Sequence, residues 1–132
     1  MPESSQKILI IDDEKDLCEI LKTKLEKCGF QVSLAFDGSE GYSKVLALKP
    51  DCIILDIRMP KEDGLTFLRR LRSFRHDDLE EESRVRKTPV IVLTGAGEHM
   101  KSLFVMEGIS SYMEKPYDFD VLKGKIAQAT GN

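Results

Sequence analysis

The chain has 132 residues, 41% of them apolar and 33% charged, with a formal net charge of −3. That length makes one domain with its own core, and the dense apolar runs exclude a disordered chain. No apolar run approaches the ~18–20 residues of a membrane-spanning helix, the N-terminus lacks a signal-peptide pattern, and the acid excess argues against direct DNA binding.

In chain order, Lys7-Ile8-Leu9-Ile10-Ile11 is a near-continuous apolar run ending at Asp12, as expected of a strand covered on both faces. Leu17, Leu21, Leu25 and Cys28 then recur at helical spacing before Gly29, a residue suited to stopping a helix. Phe30 to Phe36 alternates as a second strand. Asp37-Gly38 marks a turn, with Ser39 placed to cap a helix to about Leu48. Cys52-Ile53-Ile54-Leu55 reads as a third buried strand ending at Asp56.

Met59-Pro60 and Asp63-Gly64 mark a loop, and Leu65, Phe67, Leu68, Leu71 and Phe74 a third helix. Pro89 to Leu93 is a fourth strand ending at Thr94, and Met100 to Met106 a helix closing at Gly108. Ser110 to Glu114 is a fifth strand ending at Lys115-Pro116, and Val121, Leu122, Lys125 and Ile126 line the last helix. The order is (βα)5, a five-stranded parallel sheet wound on both faces. Residues 1–132 read as a single domain with its core over about 7–129.

Arg75 to Lys87 departs from this pattern, with five acids, four bases and few apolar anchors. It reads as a polar extension of the third helix, held by exposed pairs between Glu81, Glu82 and Arg84–Arg86, or else as a solvated loop before the fourth strand, in either case kept out of the core. Cys18, Cys28 and Cys52 show no metal-binding spacing. They read as small reduced residues in or near the core, which suits the cytoplasm.

In an open parallel sheet, the residues just past the carboxyl ends of the strands share one crevice. Here they are Asp12 and Asp13, Asp56, Thr94 and Lys115. Three carboxylates so close repel, and without a counter-ion one of them keeps its proton near neutral pH. A hard divalent cation relieves this, and magnesium (or manganese) suits two carboxylates and a backbone carbonyl. An ionised Asp56 beside a cation, a hydroxyl and an ammonium is equipped to attack phosphorus.

Ile10-Ile11-Asp12-Asp13-Glu14, Leu55-Asp56-Ile57-Arg58-Met59-Pro60 with Asp63-Gly64, Val92-Leu93-Thr94-Gly95 and Tyr112-Met113-Glu114-Lys115-Pro116 together resemble the receiver domain of the two-component response regulators. The likeness covers roughly Lys7 to Ala129 and includes the single-domain chemotaxis type. It implies the flavodoxin-like strand order 2-1-3-4-5 and a phosphoacceptor at Asp56. It implies magnesium on Asp13, Asp56 and the Arg58 carbonyl, with Asp12 acting through water. Thr94 and the Gly95 amide would then hold the phosphoryl oxygens, Lys115 would pair with the phosphoryl group, and Tyr112 would be the aromatic switch. A cis peptide before Pro116 belongs to the same pattern.

The implied donor is a sensor histidine kinase or a histidine phosphotransfer protein. The implied output is a downstream target, or self-association, through the fourth helix, fifth strand and fifth helix. Such a domain catalyses its own phosphorylation and slow dephosphorylation rather than conventional turnover. Arg58 and Ala96 flank the expected water path and favour a long-lived phosphoryl group. Exposed Val105 and Met106 on the fourth helix suggest a contact surface. The chain would stand alone, act as a phosphorelay shuttle or form part of a longer protein. The alternative is a receiver-like interaction module that works without phosphorylation. A flavodoxin would need a phosphate loop where Asp12-Asp13-Glu14 stands, and a haloacid-dehalogenase-type phosphatase would need an acid in place of Arg58.

Overall fold

A computed structural model describes residues 6–57, 62–95 and 101–131. Its elements are β1 (Lys7–Ile11), α1 (Lys15–Lys27), β2 (Gln31–Ala35), α2 (Gly38–Leu48), β3 (Cys52–Ile57), α3 (Glu62–Arg72), α4 (Leu79–Arg86), β4 (Val90–Thr94), α5 (Lys101–Met106), β5 (Ser111–Glu114) and α6 (Phe119–Thr130). The strands form one sheet in the order β2-β1-β3-β4-β5, with every pair parallel. The expected doubly wound architecture is present, with a sixth helix added.

The apolar runs form strands because both faces of the sheet are covered. Leu9, Ile11, Ile53, Leu55, Val90 and Val92 enter one core, with Val45, Leu68, Val85 and Phe104 from the helices. Their neighbours Ile8, Ile10, Cys52, Ile54, Ile91 and Leu93 enter the other, with Cys18, Leu21 and Leu25 of α1 and Leu122 and Ile126 of α6. The period of two in a strand divides each run between the cores. Gly41 of α2 lies where a Cβ would come within 2.5 Å of the Ile11 side chain, so a side chain there would force Ile11 to shift.

Several local expectations are corrected. Asp37, not Ser39, caps α2: its carboxylate accepts the Glu40 N–H at 2.8 Å, and Glu40 accepts the Phe36 N–H at 2.8 Å. This reciprocal arrangement satisfies N–H groups that the first helical turn leaves open. The buried stripe of α1 is Cys18, Leu21 and Leu25, whereas Leu17 and Cys28 are exposed. On α6, Val121 faces solvent while Leu122 and Ile126 are buried.

The largest correction concerns 75–87. The third helix does not run through it. α3 ends at Arg72, the Ser73 hydroxyl donates back to the Arg69 carbonyl at 2.7 Å, and a separate helix begins at Asp78. The Asp78 carboxylate accepts the Glu80 and Glu81 N–H groups. The expected pairs do form, Glu81 with Arg84 at 2.6 Å and Glu82 with Arg86 at 3.8 Å. The segment nevertheless reaches the core, because Val85 is fully buried within it. Arg86 also donates to the Phe74 carbonyl at 2.8 Å, and Phe74 lies between Tyr42 and His76. Val85→Ala is therefore expected to cost about 2 kcal/mol in urea unfolding. Leu79→Ala on the exposed side of α4 should change stability by less than about 0.5 kcal/mol.

Candidate functional site

The strand order reverses between β1 and β3, which opens a crevice at the carboxyl edge of the sheet. Asp12 follows β1 directly, its N–H donating to the Ala35 carbonyl at 3.0 Å. Its carboxyl accepts the Glu14 N–H at 3.1 Å, and only 3% of the residue is exposed. Asp56 lies within β3 opposite Leu93 of β4. Lys115 follows β5, its N–H donating to the Thr94 carbonyl at 2.8 Å. The Lys115–Pro116 peptide is cis, as the resemblance implies.

Lys115 Nζ stands 2.5 Å from Asp56 Oδ1. Asp12 and Asp56 share a side-chain hydrogen bond, and burial together with the Asp56 charge lifts the Asp12 carboxyl from 3.8 to about 7. Asp12 is thus the acid that keeps its proton in the crowded pocket. Thr94 is buried at the end of β4, in register with Ile57 on one side and Glu114 on the other. Gly95 is an exposed bend immediately after it, and Asp13 is exposed beside Asp12. Tyr112 is half-buried in β5, its ring centroid 6.2 Å from that of Phe104 in α5. Arg58 and Ala96 lie outside the described residues, as does Met100.

A cleft of about 470 Å³ opens beside the acids, lined by Asp12, Leu17, Cys18, Lys24, Asp56 and Tyr117 among others. Cys18 Sγ donates to the Asp12 carbonyl at 3.5 Å. Burial pushes its thiol up to about 12, and burial lifts Cys52 to about 12 as well. Neither is a reactive thiolate. Sequence reasoning missed Tyr117, whose phenol is raised by burial and by the Asp56 charge. Its place two residues after Lys115 was the available signal.

Among the described residues, no three His, Cys, Asp or Glu side chains are gathered as a metal cluster. The donors still suit a hard cation: two carboxyl groups close enough to share a hydrogen bond, one held protonated by the other. Magnesium takes such oxygens and keeps several waters.

The raised Asp12 acid sets a pH dependence for the metal-free protein. Below about pH 4 both the folded and unfolded forms hold the proton, and nothing is lost. As pH rises toward 7 the unfolded chain releases it while the fold retains it, so stability falls and then levels off. In EDTA, Asp12→Asn should be more stable than wild type above pH 7 by about 1–3 kcal/mol, with the difference vanishing near pH 4. Denaturant melts across that range check this.

Residues 8–127 match the sequence model of the response regulator receiver domain. The chain is 34% identical over 121 residues to the transcriptional regulatory protein CpxR of Escherichia coli, covering 91% of this chain and 47% of that protein. It is 33% identical over 114 residues to the alkaline phosphatase synthesis transcriptional regulatory protein PhoP of Bacillus subtilis, covering 86% and 43%. The chain therefore spans about half the length of these curated relatives. The structure of a Francisella response regulator receiver domain superposes with a TM-score of 0.78 at 28% identity, covering 96% of this chain and 98% of that one. A response regulator structure from Chloroflexus aurantiacus gives 0.82 at 25% identity, covering 98% and 100%. With the family match spanning nearly the whole chain, and acids, threonine and lysine at the strand ends where the family's motifs lie, this chain belongs to the receiver domains of two-component response regulators.

Proposed function

We propose that this domain takes a phosphoryl group onto Asp56 from a phosphohistidine of a sensor histidine kinase or histidine phosphotransfer protein. The ion pair of Lys115 with Asp56, 2.5 Å long beside a protonated Asp12, carries the reading. An Asp56 carboxylate oxygen forms the new bond to phosphorus as the phosphorus–nitrogen bond breaks, and the imidazole leaves with the electron pair. Lys115 then turns from Asp56 to the incoming phosphoryl oxygens, while the Thr94 hydroxyl and the Gly95 amide donate to the others. Receiver domains generally use magnesium. Asp13, Asp56 and the Arg58 carbonyl would hold it, or manganese, with Asp12 acting through water. When bound, the ion supplies positive charge for the phosphoryl oxygens.

The cleft beside Asp56 gives the donor its approach. Leu17 and Ile20 of α1 are 45% and 55% exposed on its rim, which offers apolar contact to the donor's helix without covering Asp56. The buried, reduced thiols Cys18 and Cys52 suit a cytoplasmic setting. Incubation with acetyl phosphate and magnesium should add one phosphoryl group to the intact mass. Asp56→Ala and EDTA should each abolish the gain. Labelling retained at an unrelated residue would remove Asp56 from its role, and no mass gain in the wild type would leave an interaction module that works without phosphorylation.

The output face is α5–β5–α6. Phe104 is buried against Tyr112, while Leu103, Val105 and Met106 are exposed, Met106 at 80%. Thr94 drawn toward the phosphoryl group makes room for Tyr112 to turn inward, and this shifts the apolar edge of α5. A downstream target or a second copy reads that edge. Met106→Glu should weaken the association induced by phosphorylation about tenfold. Sedimentation reads this for self-association, and calorimetry for a downstream target.

A further inference from the structure

Arg72, the last residue of α3, joins two segments distant from the phosphorylation site. Its Nη1 donates to the carbonyl oxygens of Arg86 and Thr88, each at 2.7 Å, where α4 ends and β4 is about to begin. Its Nε donates to the carbonyls of Gly108 at 3.0 Å and Glu107 at 3.3 Å, and Nη2 donates to Gly108 as well. The adjacent turn of α3 adds an ion pair, Arg69 to the Glu107 carboxylate at 3.1 Å. The ends of helices leave carbonyls without internal partners and favour a cation. One planar guanidinium serves two helix ends at once, which a lysine ammonium on a flexible stem does not reproduce.

Each segment leads to a residue that the proposed function uses. α4 passes through the buried Thr88 into β4, which ends at Thr94. The turn at Gly108 leads into β5 and Tyr112, and Phe104 of α5 packs on the Tyr112 ring. α4 is also built as a firm element. Its Asp78 cap closes the first turn, while the buried Val85 and the bond from Arg86 to the Phe74 carbonyl seat it on the domain. The shared guanidinium is the direct link between the end of α4 and the turn after α5.

We propose that Arg72 couples the inserted helix α4 to α5, so that α4 is a second surface whose state follows phosphorylation of Asp56. The inference rests on the phosphorylation proposed above. Coupling of this kind is reciprocal: a partner that engages α4 better in one state changes the stability of the phosphoryl group in return. Arg72 acts here as a positioning residue, distinct from the groups that touch phosphorus.

The test is hydrogen–deuterium exchange on the full chain, with and without acetyl phosphate and magnesium, in wild type, Arg72→Lys and Arg72→Met. Intact mass is read on the same samples, so a missing phosphoryl group overturns the phosphorylation reading and this inference with it. With the phosphoryl group present, wild-type amides in both 79–88 and 101–108 should change exchange rate about fivefold or more. In the Arg72 variants the response at 101–108 should remain, while that at 79–88 falls to within about twofold. Glu107→Gln, which weakens only the Arg69 strap, should keep both responses. An α4 unaltered in phosphorylated wild type, or an α4 response as large in Arg72→Lys as in wild type, overturns the proposal. If Arg72→Met does not fold, the wild-type and Arg72→Lys arms decide the question.

Discussion

Two carboxyl groups within hydrogen-bonding reach of each other, at the edge of a buried sheet, are the constraint around which this domain is arranged. Like charges so close cannot both be ionised cheaply where solvent is scarce. The fold meets the cost by leaving a proton on Asp12 and by bringing Lys115 across from β5 to Asp56. A cation entering the crevice would take over the work of that proton and leave Lys115 free to turn to a phosphoryl group.

That crevice depends on the two cores. The strands that deliver Asp12, Asp56 and Thr94 are apolar on both faces, and they hold their register because a slip of one residue would exchange the cores. α1 and α6 cover one face while α2 to α5 cover the other. The close approach of α2 at Gly41 belongs to the same packing, since it seats a helix on Ile11, one residue before Asp12.

The strands and the acid crevice were readable in the sequence because they obey strong rules. A run such as Ile8 to Ile11 has few alternatives, and residues at the ends of parallel strands must converge. Charge crowding foretold one protonated acid, but assigning it to Asp12 needed the burial that only packing supplies. Leu17 misled because a repeat of four residues drifts about 40° per step around a helix. The true stripe runs through Cys18, Leu21 and Leu25. Val85 was hidden because one apolar residue among charges shows no period. The Arg72 bonds were hidden because their acceptors are backbone carbonyls, which every residue has.

The inserted helix enters the chain ahead of β4, at the amino edge of the sheet, whereas Thr94 lies at the carboxyl edge. Five strand residues at about 3.3 Å each keep the two some 15 Å apart along the strand. The outer side of α4, where Leu79 and Glu80 are exposed, is consequently a place where residues can be exchanged while the acids, the threonine and the lysine keep their mutual positions. Receiver domains that share one chemistry can acquire different addresses at this edge, and an engineer seeking to graft a recognition segment onto the fold has there a helix seated through Val85 and open on its other side.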